Sequence, residues 1–390
     1  MLKKISWNHS FTFFLLLFAA ATSFSIALTQ IALTLAVILW LGLCLKEKKK
    51  PFPRTPLDWF FVAWLFMEII STLFSPGRYL ALEHFVKRAL LIPIVYLIAG
   101  SLQTRKQLRW LLLSLLGVMT IVAIIGIVKY HLGPGGLEGR LKLFNHYMTS
   151  GGLLMINGLL ALAFVFSRAP RRVRLIALAA AVLMFFPLIY TYTRSSWMGY
   201  LAGFAFIILF TRWKLIFALI PAVLLAFWAA PPSLQDRLTS VVDPWHPNNI
   251  ERTFMWQAGV RMVQHSPLYG YGDSEVGKRS EPYKSPQAKE RAGHLHNNLL
   301  MFAVILGIPG LLVVLGLFIR ILATEWTTLK SLAADDWLLS GTALGALAAF
   351  IGFQINGLFE WNFGDAEVAM LMWLTVGMSL AAGRLRSASD

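Results

Sequence analysis

Cysteine is nearly missing from this sequence: Cys44 stands alone among 390 residues. A single thiol excludes an intramolecular disulfide framework and leaves the redox compartment unreadable. Charge is scarce too, at 14% Asp, Glu, Lys and Arg against roughly 25% in soluble domains. Acids are the scarcer sign, 19 against 35 Lys and Arg. Internal repeats and low-complexity tracts are absent, and the composition excludes collagen-like and disordered chains. What fills the sequence instead is apolar: 57% of residues are hydrophobic and the mean hydropathy is +0.64.

About 20 apolar residues span a bilayer as a helix. Reading apolar runs against their polar breaks predicts twelve spans, at 11–27, 28–45, 58–75, 89–103, 110–130, 148–167, 175–193, 197–211, 215–230, 297–319, 337–357 and 366–383. The expected fold class is therefore an all-α integral membrane bundle, one polytopic domain over 1–390. Met1-Leu2-Lys3-Lys4 resembles the basic start of a signal peptide, but no small-residue cleavage site follows, so the first run reads as an anchor.

The charge pattern orients the bundle. With the N-terminus inside, cytoplasmic segments hold 20 of the 35 Lys and Arg, and the short outer loops hold seven. That split fits the positive-inside rule with both termini cytoplasmic. The other eight lie in 231–296, beside seven acids. The formal charge of +16 is thus mostly topology, which argues against nucleic-acid binding. Segment 231–296, between the ninth and tenth spans, reads as a long periplasmic loop. Asn248-Asn249 is expected to cap a helix of about 250–264 with Phe254, Met255, Ala258, Met262 and Val263 on its apolar face. Function concentrates in such loops on rigid scaffolds.

Four groups of residues could carry chemistry. His294-Leu295-His296-Asn297-Asn298 joins that loop to the tenth span. At about 100° per residue, His296, Ala303, Gly307 and Gly310 share one helical stripe, where small residues admit a neighbouring helix. Two histidines with no evident further ligand make a poor zinc site. Thr193-Arg194-Ser195-Ser196-Trp197 opens the eighth span. Ser195 or Ser196 could cap it, its N-terminus would favour an anion, and Arg194 offers a fork suited to phosphate. Tyr190, Tyr192, Trp197 and Tyr200 read equally as an aromatic belt.

Lys87-Arg88 stands at the outer start of the fourth span, where cations oppose the helix dipole, so an anionic ligand or a Glu83–Lys87 pair is expected there. Arg252, beside Glu251, is a fourth cation, a ligand contact or a solvated charge. Glu68 lies mid-span, where an acid is either functional or hydrogen-bonded structure. No Asp-x-Asp occurs on the outer side, so a Mg²⁺-dependent phosphoryl site lacks its carboxylates.

His296-Asn297, nine residues, then Gly307-Ile308-Pro309-Gly310 is similar to the motif of the bacterial O-antigen ligases: His, a small polar residue, nine residues, Gly, two residues and a small residue. Thr193-Arg194-Ser195 before a span, and Gly357-Leu358-Phe359-Glu360-Trp361 before the last one, also resemble the wider O-antigen ligase and polymerase superfamily. The resemblance implies a GT-C-like glycosyltransferase bundle in the bacterial inner membrane with its site facing the periplasm. It implies transfer of a glycan from undecaprenyl diphosphate to lipid A–core oligosaccharide, inverting, without cofactor or metal.

On that reading His296 is the base, since histidine as a residue type suits proton transfer near neutrality. Arg194, Arg252 and Arg88 would bind the diphosphate. Lys87, His294, Glu251, Asp273 and Glu360 are candidate supports; Asp273, Glu251 or Glu360 could also replace or orient His296. An O-antigen polymerase or a protein O-oligosaccharyltransferase would use the same donor. A proton-coupled transporter built on Glu68 would be expected to show inverted repeats, which are not evident.

Overall fold

The computed structural model describes residues 8–133 and 139–387. Lys3, Lys4 and the basic N-terminal stretch lie outside them. Among the described residues all regular structure is helical. α1 (His9–Ala21), α2 (Ile26–Lys46) and α3 (Asp58–Phe74) follow the first three apolar runs, then α4 (Arg78–Ala89) and α5 (Ile92–Ser101). α6 (Arg105–Leu132), α7 (Tyr147–Phe166), α8 (Arg171–Tyr190), α9 (Arg194–Arg212) and α10 (Ile216–Ala229) come next. Segment 231–296 holds α11 (Pro232–Thr239), α12 (Pro247–His265) and one turn, α13 (Val276–Arg279). α14 (Asn298–Ser331), α15 (Trp337–Gly357) and α16 (Ala366–Ser387) complete the chain.

Eight helical stretches among the described residues are long and apolar enough to cross a membrane, with α9 and α10 forming one continuous stretch. The chain is a multi-pass helical membrane protein. α1, α3 and α5 coincide with three of the twelve expected runs, but have 13, 17 and 10 residues, short of the usual span.

α7, α15 and α16 lie at the centre, buried on nearly all sides. α9 crosses α15 where Gly199 and Gly352 meet. A Cβ on Gly199 would stand 2.5 Å from the Gly352 carbonyl oxygen, so only glycine allows this approach. α6 starts in a capping box, Thr104 accepting from the Gln107 N–H and the Gln107 side chain accepting in return from the Thr104 N–H.

Three local expectations are corrected by the structure. Lys87 and Arg88 lie in the last turn of α4, not at the start of a span. The amphipathic stretch from Arg78 is a helix of its own, stopped before Pro93, so the dipole favours these cations rather than opposing them. Pro231-Pro232 opens α11, since Pro is well suited to a first helical turn. α12 starts at Pro247 with His246 as its cap, while Asn249 turns back to donate to the Ser240 and Asp243 carbonyls at 2.8 and 2.7 Å. Met255, Ala258 and Met262 of α12 are buried as expected.

The stripe from His296 to Gly310 does not exist. His296 precedes α14 with a left-handed φ of +48°, and α14 breaks at Gly307, φ +74°. A continuous 100° step cannot cross such a break. The segment 266–272 is inserted there: Tyr271 and Gly272 N–H donate to the Val304 and Ile305 carbonyls at 2.9 and 3.0 Å, and Ile308 N–H donates to Pro267 O at 2.7 Å. Ser71 of α3 adds a hydroxyl bond to Ile305 O at 2.5 Å. Backbone groups freed by a break in a membrane helix must find partners within the protein, and these supply them.

Candidate functional site

The site forms at the end of the bundle that carries 231–296. Asn297 caps α14, its Oδ1 accepting from Leu300 N–H at 2.9 Å, while its Nδ2 donates to Leu358 O at 2.9 Å. This ties the start of α14 to the turn after α15 and sets His296 against Glu360. The Nδ1 of His296 lies 3.2 Å from both Glu360 carboxylate oxygens. Both residues are largely buried, with side chains 13% and 12% exposed. Burial alone would raise the Glu360 carboxyl, but the hydrogen bond from His296 and the charge of the two histidines hold it below the usual range. An ionised carboxylate only accepts, so Nδ1 faces it as the donor.

His294 stacks edge-on against His296, ring centroids 4.2 Å apart. Its Nδ1 accepts from the His296 N–H at 3.3 Å, and its Nε2 lies 3.8 Å from Glu360. Burial first, then the charge of His296, push it down to about 4, so it is neutral at pH 7. His294, His296 and Glu360 place three ligand atoms within 4.8 Å of one another. The structure thus supplies the third donor that the sequence did not reveal, and a divalent ion could be held here.

Beside this group stand four arginines that form no ion pair among the described residues. Arg194, 7% exposed, donates to the Ser240 carbonyl and hydroxyl at 2.6 and 2.9 Å and to Asn249 Oδ1 at 2.9 Å. Arg140 donates to Thr191 O and Tyr192 O at 2.8 and 2.9 Å, and lies 3.4 Å over the Tyr147 ring. Arg237 reaches the same Tyr192 carbonyl at 3.3 Å. Arg252, half-buried on α12, makes no hydrogen bond or ion pair among the described residues. Burial first, and then the neighbouring guanidiniums, push Arg140 down to about 10. Burial likewise lowers Arg252, partly offset by Glu360 and Glu290. At pH 7 all four remain charged, so the cluster lacks an anion.

Arg140 and Arg237 were not singled out from the sequence. The signal for Arg140 was available, since a cation in a short outer loop runs against the positive-inside bias. Arg237 follows Asp236 and read as an ordinary loop charge. Ser195 and Ser196 do not cap α9: Thr193 holds that position without a side-chain bond, and Ser196 Oγ accepts from Asn356 at 2.9 Å. Trp197 donates to Leu188 O at 2.9 Å, tying α9 to α8.

Arg88 lies apart from this cluster. It is 6% exposed and forks onto Glu68, Nε and Nη2 each 2.9 Å from a carboxylate oxygen, while Nη1 meets Asp273. Burial opposes its charge, but the two carboxylates raise it overall. Asp273 also meets His84 at 3.4 Å. Burial would raise it, yet Arg88 and His84 hold it at about 2. Glu68 and Asp273 thus serve as partners that join α3, α4 and the 273 loop. Lys87 pairs with Glu83 at 2.5 Å, and Glu251 accepts from the Lys289 and Glu290 N–H groups at 3.0 Å.

Residues 179–315 match the family model described as O-antigen ligase. A Rickettsia felis protein named "Putative polysaccharide ligase" is 23% identical over 337 residues, 82% of this chain and 76% of that protein. Homologues from Rickettsia conorii and Rickettsia bellii, both named polysaccharide ligases, are 23% and 26% identical over 88% and 82% of this chain, and 82% and 78% of their own. A chain of a solved peptidoglycan synthase complex is similar at 16% identity and a TM-score of 0.48, over 85% of this chain and 97% of that one. The chain is thus similar to the O-antigen ligases over 179–315 and to proteins named putative polysaccharide ligases over most of its length.

Proposed function

We propose that this protein is an O-antigen ligase, moving a glycan from undecaprenyl diphosphate to lipid A–core oligosaccharide on the periplasmic face. The observation that carries the reading is a cluster of four arginines without an ion-paired acid beside a buried His–Glu pair. The acceptor hydroxyl attacks the anomeric carbon on the face opposite the diphosphate, and its proton passes to His296 Nε2. Glu360 holds the ring and stabilises the imidazolium. As the new glycosidic bond forms, the bond to the diphosphate breaks and the configuration inverts. Arg252 and Arg194, with Arg140 and Arg237, stabilise the charge growing on the leaving diphosphate. This assigns that task to side chains, with no metal required. Arg88 is left out of the clamp because its donors face Glu68 and Asp273.

The test is transfer by the purified protein in detergent, with undecaprenyl-diphosphate glycan, lipid A–core and EDTA. Product on lipid A–core that is lost with His296→Ala and Arg252→Gln supports the reading. Activity abolished by EDTA and restored by Zn²⁺ would move the chemistry to a metal on the His294, His296 and Glu360 atoms. Chain growth on the carrier lipid, with lipid A–core untouched, would make the protein a polymerase.

A further inference from the structure

Against His294 lies a cavity of about 280 Å³. Its lining brings together His84, Lys87 and Arg88 of α4 with Asp273, His294, Trp361 and Phe363. None of Arg140, Arg194, Arg237 and Arg252 lines it. His294 lines the cavity and its ring lies 4.2 Å from that of His296, so the cavity adjoins the His296–Glu360 pair through a residue outside the arginine cluster. Two substrates must meet at the base from different directions, and the arginines take one.

We propose that this cavity is the acceptor subsite, seating one sugar of a membrane-anchored saccharide so that its hydroxyl passes the edge of His294 toward His296. The inference rests on the glycosyl-transfer reading above. Its size is near the lower end of the roughly 300–1,000 Å³ typical of small-molecule sites, enough for one sugar ring and not for a chain of them. A lining of aromatic rings with a few polar groups suits the mixed faces of a sugar. Lys87, more than half exposed, adds a cation at the wall. The opposite face of α4 carries Tyr79, Leu82, Val86 and Leu90, all exposed at spacings of one helical face. A short amphipathic helix of this kind lies along a bilayer surface, so an acceptor whose anchor stays in the lipid meets α4 first.

Gly293 makes the test clean. It lines the cavity, and a Cβ placed on it meets nothing within 4 Å, so a larger side chain is accommodated without displacing the backbone. Gly293→Leu and, from elsewhere in the lining, Leu91→Trp should each raise the KM for lipid A–core at least ten-fold. The Kd for undecaprenyl diphosphate should stay within two-fold. An unchanged acceptor KM in both cavity-filling variants, or equal weakening of acceptor and undecaprenyl diphosphate, would overturn the subsite. Absence of any transfer by the wild-type protein that still binds undecaprenyl diphosphate would instead sink the ligase reading itself.

Discussion

Arg252→Gln should move activity and stability in opposite directions. The guanidinium is half-buried with no hydrogen bond or ion pair among the described residues, and burial, only partly offset by Glu360 and Glu290, already disfavours its charge. Replacing it with a neutral side chain of similar reach removes that penalty. Relief of an uncompensated surface-to-core charge is commonly worth about 0.5–2 kcal/mol, so the melting temperature in detergent should rise. Activity should fall, because a hydrogen bond to a charged group contributes about 1.5–3 kcal/mol. At about 1.4 kcal/mol per decade, that is roughly a ten- to hundred-fold loss in transfer rate. The assay pairs initial rates with thermal melts, with and without undecaprenyl diphosphate. Wild type at a hundred-fold excess over Kd should gain about 2.7 kcal/mol, and the variant clearly less. Arg194→Gln is the contrast: its donors hold Ser240 and Asn249, so activity and stability should fall together. An Arg252→Gln protein that melts lower yet transfers normally would refute the argument.

Three further outcomes follow from the geometry. Gly307→Ala should lower stability by about 1–3 kcal/mol, since φ is +74° and the new Cβ would stand 2.7 Å from Pro267 O; a melt in detergent checks it. Glu68→Gln should cost roughly 3–5 kcal/mol by leaving Arg88 buried with half its compensation, seen as lost folded yield with donor affinity intact in what remains. The hydrogen bond with Asp273, followed by opposing burial, leaves the His84 imidazole raised above its ordinary value. Its contribution is therefore full below about pH 6.5 and is lost as pH rises through the raised value. Melting temperature should decline over that window, and His84→Gln should flatten the decline.

The fold class was readable because apolar run length is a one-dimensional property. The run boundaries were also close, as at 58–75 against α3 and 337–357 against α15. What failed were inferences that carried a helical phase through an unseen break. Gly307 looked like a packing glycine because neither its φ nor the inserted segment 266–272 is written in local spacing. Likewise the cations at Lys87 and Arg88 changed meaning once α4 had its own C-terminus. His296 and Arg194 could be named from motif and chemistry. Their partners were harder to read: Glu360, 64 residues from His296, was one of three acids that could orient it, and Arg140 and Arg237 meet at the Tyr192 carbonyl.

The break in α14 bears on how such proteins can be recombined. Tyr271, Gly272 and Pro267 are hydrogen-bonded to backbone groups of residues 304–308 inside an otherwise apolar helix. The segment before α14 is therefore a structural part of that helix and not a detachable domain. A chimera that exchanges 231–296 between relatives while keeping the host's α14 must rebuild these backbone hydrogen bonds between a foreign segment and the host helix. Swaps meant to transplant specificity should carry the segment and the outer half of α14 as one inheritance unit, cut below Ile308.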